Sequence, residues 1–255
     1  MEARTAVLQA RAQPLRPGML WGYKVAMGAS RKTLLHTLAR VARGVLLAVL
    51  VLLLLYRFVN PPFTTLMLAY WLTGKTVKQE WVSIDEISPH LVRAVITSED
   101  GRFCQHWGVD WTEVENALER AEQTGRGPRG ASTIPMQTVK NLFLWQSRSY
   151  VRKVIEVPLA YAASFFWPKR RMIEIYLNIA EWGPGIFGAQ AAARHHFRTT
   201  AARLSRAQAA RLAAALPNPH VRNAGRPGPR TRVLSGRIRA RAQRAGAPLD
   251  CIYTE

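Results

Sequence analysis

The sequence predicts a mainly α-helical domain that follows one membrane-spanning helix. Apolar residues recur at helical spacing in several separate stretches after residue 88, and no stretch alternates polar and apolar residues for the length of a strand. A third observation is an apolar run near the N-terminus. The chain has 255 residues, which is room for one medium domain with an anchor or tail, or at most two small domains.

The composition is strongly basic. Thirty-six Lys and Arg against 16 Asp and Glu give a formal net charge of +20, which implies an anionic partner such as nucleic acid, a membrane surface or a phosphorylated substrate. Apolar residues make up 48% of the chain, which excludes a wholly disordered protein. Cys104 and Cys251 are too few for a disulfide framework or an all-cysteine zinc site; one disulfide is possible, and the sequence leaves their pairing open.

The apolar run Val45–Tyr56 is the core of the predicted membrane helix. A spanning helix needs about 20 residues, and residues 41–59 supply them if Arg43 and Arg57 extend their charged ends to opposite interfaces. No small-residue cleavage site follows the run, which favours an uncleaved anchor over a signal peptide.

The flanking charges predict the orientation of this helix. Eight Lys and Arg against one Glu give the N-terminal side, residues 1–40 with Arg43, a net charge of +7. The positive-inside rule therefore places that side in the cytoplasm and the rest of the chain outside. Residues 60–82 are predicted to form a membrane-proximal stalk that carries several aromatic residues.

The first helix of the exported domain is predicted to begin at Ser88, an N-cap followed by Pro89 in the first turn. Its apolar stripe comprises Leu91, Val92, Val95 and Ile96. The next position on that face is Glu99, so a carboxylate points inward, where burial raises its pKa. A helix dipole disfavours acids at this end, and Glu99 is therefore predicted to be functional.

Further helical patterns follow along the domain at 111–121, 151–167, 169–180 and 205–216. A Gly- and Pro-rich loop lies at 124–130, and the segment 137–146 mixes apolar and basic residues. The last helix opens with a capping box of Ser205 and Gln208. The predicted catalytic domain covers 83–220, and 221–255 are predicted to form a basic C-terminal helix or tail whose arginines face solvent or anionic lipid.

Two glutamates, Glu99 and Glu156, lie in otherwise apolar helices. Paired carboxylates are typical of glycosidic chemistry, in which one handles a proton and the other stabilises a cation-like transition state. Between them lie four cations: Lys140, Arg148, Arg152 and Lys153. A hydrolase of neutral glycan needs no such cluster, whereas a transferase with a diphosphate leaving group does. Both enzyme classes remain open at this point.

Five ordered segments of the chain have the form of short motifs. EDGRFCQHWG at 99–108 is similar to E-D-x-x-F-x-x-H-x-G, and GASTIPMQTVKN at 130–141 is similar to G-x-S-T-I-x-Q-Q-x-x-K-N. The other three segments are Arg152-Lys153-x-x-Glu156, RRMIEIYLNIAEWG at 170–183 and GIFGAQAAARHHF at 185–197. In this order the five segments resemble the motifs of the peptidoglycan glycosyltransferases, glycosyltransferase family 51. The ordered set is highly specific, whereas any one motif alone is weak.

The resemblance implies a lysozyme-like helical fold that polymerises lipid II into β-1,4-linked glycan and releases undecaprenyl diphosphate. Too few residues are present for a transpeptidase domain, so the monofunctional form is expected. The implied partners are lipid II, the growing glycan, the membrane and other cell-wall synthases. The implied location is the bacterial inner membrane, single-pass, with the catalytic domain on the periplasmic side, which excludes nucleic acid as a partner.

The resemblance also implies roles for individual residues. Glu99 is the general base for an inverting attack, and Glu156 orients cationic side chains or binds a divalent ion, Mg²⁺ or Mn²⁺, with the donor diphosphate; no organic cofactor is expected. The diphosphate is held by Lys140, Arg148, Arg152 and Lys153. The surroundings of the base are shaped by Asp100, Phe103 and His106. The groove is lined by Ser132, Thr133, Gln137 and Asn141.

The chain departs from the family pattern at Pro135 and Met136, where Thr or Ser and then Gln are usual, and at His196, where Tyr is common. Proline removes an N–H group and fixes φ, and methionine cannot replace the hydrogen bonds of an amide. Two other functions therefore remain open: a catalytically impaired scaffold that binds glycan or synthases, and a lytic muramidase. Tyr176 and Asn178 are predicted to serve packing and local hydrogen bonding.

Overall fold

The computed structural model describes residues 17–127, 130–147, 149–244 and 249–253, with backbone alone for 17–31. Helices form 67% of it and strands 3%, which confirms the mainly α class. The N-terminal half contains α1 (Pro17–Tyr56), α2 (Thr65–Leu72), α3 (Pro89–Glu99), α4 (Trp111–Thr124) and α5 (Ile134–Phe143). The C-terminal half contains α6 (Tyr150–Phe166), α7 (Lys169–Ile179), α8 (Ala189–Phe197), α9 (Arg206–Ala215), α10 (Pro229–Arg244) and α11 (Asp250–Tyr253).

The apolar helix α1 contains a segment, Lys32–Tyr56, that is long and apolar enough to cross a membrane. The chain divides into two compact units after Val51. The helix ends at Tyr56, three residues before the predicted end of the membrane span. The amides of Phe58 and Val59 both bond to the carbonyl of Leu55 in a closing turn. The helix does not resume directly after this turn, because Asn60 precedes Pro61 and a residue before proline disfavours the helical region.

The segment predicted as a stalk, residues 60–82, has its own secondary structure. Thr64 caps α2, whose Met67 is fully buried. Strand β1 (Lys78–Gln79) pairs in parallel with β3 (Ile186–Phe187), which pairs antiparallel with β2 (Glu181–Gly183). These backbone bonds and the buried side chain attach the segment to the domain, so the structure differs from a free stalk.

Helix α3 is central to the second unit because α9 and α10 both pack against it. Its predicted N-cap is confirmed: the hydroxyl of Ser88 accepts from the amide of His90 and donates to the carbonyl of Leu204. The four residues of the predicted stripe are fully buried. The packing of α10, with Ile238 buried, shows that the folded unit continues past residue 220 into the predicted tail.

A disulfide joins Cys104 to Cys251 across 147 residues of sequence. Cys104 lies in a short 3-10 turn, Phe103–Gln105, that follows α3, and Cys251 lies in α11. Ile252 beside it is fully buried, and its carbonyl accepts a hydrogen bond of 3.1 Å from Arg170. The question that the sequence left open is therefore answered by a covalent link between this turn and the C-terminal helix.

Candidate active site

Glu99 is the last residue of α3, and its carboxylate faces the start of α5. Gln137 Nε2 donates to Oε2 at 3.2 Å, and the Ser98 hydroxyl lies 3.4 Å from Oε1. Burial raises the pKa of Glu99, while these two hydrogen bonds and the charge of Arg222 act in the opposite direction. A carboxyl with a raised pKa that is held by donors has the properties of a general base.

Asp100 is buried behind Glu99 and connects two parts of the site. Its Oδ1 accepts from His106 Nε2 at 2.8 Å, and its Oδ2 accepts from the amide of Ile134 at 2.9 Å. His106 and Phe103 are also buried, and Phe103 is fully so. Asp100 therefore joins the turn after α3 to the first residue of α5, and the role predicted for these three side chains stays a prediction.

Lys169, which the sequence did not single out, holds this same turn. Its ammonium donates to the carbonyl of Phe103 and, at 2.6 Å, to the carbonyl of His106, and it lies 4.4 Å from the centre of the Phe103 ring. Burial lowers its pKa to about 8, against the opposing charge of Asp100. A lysine beside two arginines at a helix start resembles a solvated surface charge, so no sequence signal distinguished it.

The second predicted motif forms the beginning of α5. Thr133 is the N-cap, and its hydroxyl also donates to the carbonyl of Gly108. Pro135 lies in the first turn, where its missing N–H group would have had no partner within the helix. Met136 is buried, and its amide bonds to the Thr133 hydroxyl at 3.3 Å. The two departures from the family pattern therefore fit the helix.

The other residues of this motif have separate contacts. The Ser132 hydroxyl accepts from Lys153 Nζ at 2.7 Å, so it touches the cations and not Glu99. The carbonyl of Asn141 accepts from the Thr65 hydroxyl at 3.1 Å, which connects α5 to α2. Only Gln137 of this set bonds directly to Glu99.

Two of the predicted cations bind the second glutamate. Glu156 is buried on α6, where the Arg152 guanidinium binds Oε1 and Lys153 Nζ lies 3.3 Å from Oε2. Burial lowers the pKa of Lys140, while Arg152 lowers it further and Glu99 raises it. Lys140 is therefore within electrostatic range of both Arg152 and Glu99. Burial, followed by the charges of Arg152 and Lys140, lowers the pKa of Lys153 to about 8. The predicted Arg148 lies outside the described residues.

Two further residues of the site were not predicted. Tyr176 of α7 donates its hydroxyl to Gln137 Oε1 at 3.0 Å; the sequence suggested packing and local hydrogen bonding, with no part in the site. Arg222, which was assigned to the tail, is near enough to Glu99 to influence its pKa, and it donates to the carbonyl of Ala214 at 3.0 Å. Both reach the site from elements distant in sequence.

Among the described residues, the ligand atoms of Asp100, His106 and Asp110 lie within 4.8 Å of one another and could in principle hold a metal ion. Both oxygens of Asp100 already accept hydrogen bonds. The two carboxylates are balanced by Lys169 near Asp100 and by Arg102, whose Nε lies 3.7 Å from Asp110. The carboxylate of Glu156 likewise has a cation on each oxygen. Neither the group formed by Asp100, His106 and Asp110 nor the carboxylate of Glu156 therefore fits a divalent cation that is bound by the protein alone.

Known proteins are similar to this chain over most of its length. Residues 66–242 match a family model described as Transglycosylase. A protein of Rhizobium leguminosarum bv. trifolii, named biosynthetic peptidoglycan transglycosylase, is 52% identical over 222 residues, which are 84% of this chain and 95% of that protein. Proteins of the same name from Rhizobium meliloti (54% over 201 residues, 79% and 84%) and Agrobacterium fabrum (51% over 222 residues, 85% and 98%) are similar to it as well. The matched range includes α2 and most of α10.

Proposed function

The chain belongs to the transglycosylase family, and we propose that it is a peptidoglycan glycosyltransferase that polymerises lipid II into β-1,4-linked glycan and releases undecaprenyl diphosphate. One observation carries the proposal: a partly buried carboxylate, Glu99, is within electrostatic range of Lys140 on α5, which is itself within range of Arg152 and Lys153 on α6. Transfer from a diphosphate donor needs both a base for the acceptor hydroxyl and positive charge for the leaving group.

In the proposed reaction, Glu99 removes the proton of the acceptor sugar 4-hydroxyl. The oxygen attacks the anomeric carbon of the donor from the face opposite the diphosphate, so that the configuration inverts. The bond from that carbon to the diphosphate oxygen breaks, and its electron pair stays on the leaving oxygen. Burial supports this role because it raises the pKa of Glu99 towards the operating pH, where a base is most effective.

The leaving diphosphate is stabilised by Lys140, Arg152 and Lys153, together with the predicted Arg148. Glu156 fixes two of these side chains, since the Arg152 guanidinium and Lys153 Nζ each bind one of its oxygens. This arrangement supports the orienting role predicted for Glu156 over a metal-binding role. Mg²⁺ or Mn²⁺ carried on the diphosphate itself remains a prediction, which activity after chelation and re-addition of each ion tests.

Four features support an inner-membrane location with the catalytic domain on the periplasmic side. The apolar segment Lys32–Tyr56 supplies an anchor, and the basic N-terminus favours the cytoplasmic side. The Cys104–Cys251 disulfide fits an oxidising compartment such as the periplasm. Helix α6 also exposes apolar side chains, Val154 and Phe165 among them, which suit contact with a membrane. Other cell-wall synthases remain predicted partners.

The cation cluster favours a transferase over a lytic muramidase, because cleavage of neutral glycan creates no diphosphate charge. The scaffold alternative was based on Pro135 and Met136. Because Pro135 fits the first turn of α5 and Met136 is accommodated in its buried face, these residues give no structural reason for impaired catalysis.

The test incubates the purified full chain in detergent with labelled lipid II and sizes the products. Glu99→Gln is expected to abolish polymerisation while binding of lipid II is retained. The matched control is Glu119→Gln, an exposed carboxylate on α4, which is expected to polymerise like the wild type. Polymerisation by Glu99→Gln at the wild-type rate contradicts the assignment of the base. Wild-type release of soluble fragments from sacculi without use of lipid II supports the muramidase, and no product from either substrate supports the scaffold.

A further inference from the structure

Three side chains from three helices form a chain of hydrogen bonds that ends on the base. Tyr176 Oη lies 3.0 Å from Gln137 Oε1, and Gln137 Nε2 lies 3.2 Å from Glu99 Oε2. Tyr176 is fully buried in α7, and its pKa is raised well above the ordinary value by burial and by the nearby Glu99 and Asp100 carboxylates. The phenol therefore keeps its proton and acts as a donor.

The Gln137 amide has two possible orientations, and only one supports the base. With its oxygen towards Tyr176, its NH₂ group points at Glu99 and donates to the carboxylate. The opposite orientation would set the amide oxygen against the carboxylate, which when ionised can only accept, and would leave the buried phenol proton without the acceptor that Gln137 provides. The carboxylate and the phenol proton therefore favour the same orientation of the amide, the one that Glu99 requires.

We infer that Tyr176 is a positioning residue for the general base, and that it acts by fixing the side-chain amide of Gln137. The inference rests on the proposed function of Glu99 as the base. Packing alone would require the Tyr176 ring and not its hydroxyl, so Tyr176→Phe separates the two roles. That substitution keeps the ring in its buried site and removes only the donor.

Loss of the donor has a defined effect on the base. A hydrogen bond to the ionised form of a carboxyl favours that form, so a Gln137 amide that is free to rotate supports ionised Glu99 less well. Among the described residues, the other charged groups that influence Glu99 or are influenced by it are Asp100, Lys140 and Arg222, and Tyr176→Phe changes none of them. The acidic limb of the pH–rate profile is therefore expected to move to higher pH, because Glu99 must be ionised to accept a proton.

The experiment measures kcat and KM for labelled lipid II between about pH 5 and 9, with the full chain in detergent. Tyr176→Phe is expected to shift the acidic limb upward by roughly one pH unit, which is a tenfold change in the ratio of ionised to protonated carboxyl, with little change in KM. The matched control is Tyr161→Phe, which removes a phenol on α6 that accepts a hydrogen bond from Trp111; its profile is expected to match the wild type.

A second comparison tests the route through Gln137. Gln137→Leu is expected to shift the limb in the same direction, and adding Tyr176→Phe to it is expected to cause no further shift. Thermal melting shows that each variant is folded, and Gln137→Leu still tests the route if Tyr176→Phe does not fold. An unshifted limb in Tyr176→Phe, or a further shift in the double variant, overturns the inference. Glu99→Gln in the same assay separates the failure of this inference from the failure of the proposed function. If Glu99→Gln is inactive, an overturned role for Tyr176 leaves the proposed function intact. If Glu99→Gln is active, the proposed function itself fails.

Discussion

Removal of the Cys104–Cys251 disulfide is expected to lower the free energy of unfolding by about 5 kcal/mol. The perturbation is the paired substitution Cys104→Ser and Cys251→Ser, or reduction of the wild type. The bond closes a loop with a sequence separation of 147 residues. In the chain-entropy model the stabilisation grows with the logarithm of loop length, and a loop of this size corresponds to about 5 kcal/mol.

The folded state provides few substitutes for this bond. Helix α11 has four residues, so its position depends on the buried side chain of Ile252 and on the hydrogen bond from Arg170 to the carbonyl of Ile252. The disulfide also connects α11 to the turn that contains Phe103, whose ring packs beneath Lys169. Loss of the disulfide is therefore expected to weaken the attachment of the C-terminal helix as well as overall stability.

The assay is urea unfolding of the purified chain in detergent, followed by tryptophan fluorescence, since Trp167 and Trp182 are buried. With a slope of about 2.5 kcal/mol/M, the expected change lowers the midpoint by about 2 M. A reductant is expected to move the wild type to the midpoint of the double variant and to leave the double variant unchanged. A wild-type midpoint that does not respond to complete reduction would refute the reasoning.

Three further predictions concern charged groups of the site. Because the pKa of Lys153 is about 8, kcat/KM for lipid II is expected to fall as pH rises through 8, when the neutral amine no longer attracts the diphosphate. The fall is expected to be absent in Lys153→Arg, and a fall that persists in this variant contradicts the assignment of Lys153 to the diphosphate. Burial raises the pKa of Glu99, so the folded state binds this proton more tightly than the unfolded chain and loses stability as pH rises through the folded pKa. Glu99→Gln is therefore expected to melt at a higher temperature than the wild type at about pH 8 and at a similar temperature at about pH 4; equal melting temperatures at the higher pH would contradict this. Glu156→Gln is expected to lower the free energy of unfolding by about 3 kcal/mol and to raise KM more than it lowers kcat, because Arg152 and Lys153 lose their buried partner. Urea unfolding measures the first effect and initial rates measure the second. A change in kcat alone argues against an orienting role for Glu156.

Local sequence was sufficient to predict the helix that ends at Glu99. An N-cap serine, a proline in the first turn and an apolar stripe act within a few residues of one another, so Ser88, Pro89 and the inward direction of Glu99 followed from spacing alone. The same holds for the capping box at Ser205. The pairing of Glu156 with cations was expected from the resemblance, and it too is local, because Arg152 and Lys153 lie four and three positions before Glu156 on the same helix face.

Other features depend on which elements meet. Strands β1 and β3 have two residues each, too few to produce an alternating pattern, so the segment after the apolar helix looked like a stalk. The segment of helix α10 was predicted to be a basic helix or tail that faces solvent or lipid, because it contains many arginines and no acid, and its contact with α3 and α9 became visible only in the fold.

The sequence by itself determined the mainly α class, the apolar helix, the direction of Glu99 and the set of charged residues available for a diphosphate. Only the tertiary structure decided that Tyr176 reaches Gln137, that Lys169 holds the turn after α3, that Arg222 lies near Glu99 and that Cys104 pairs with Cys251. The physical reason is that helix caps and periodicity arise from neighbours along the chain, whereas a contact between residues 39 to 147 positions apart exists only after the helices have packed.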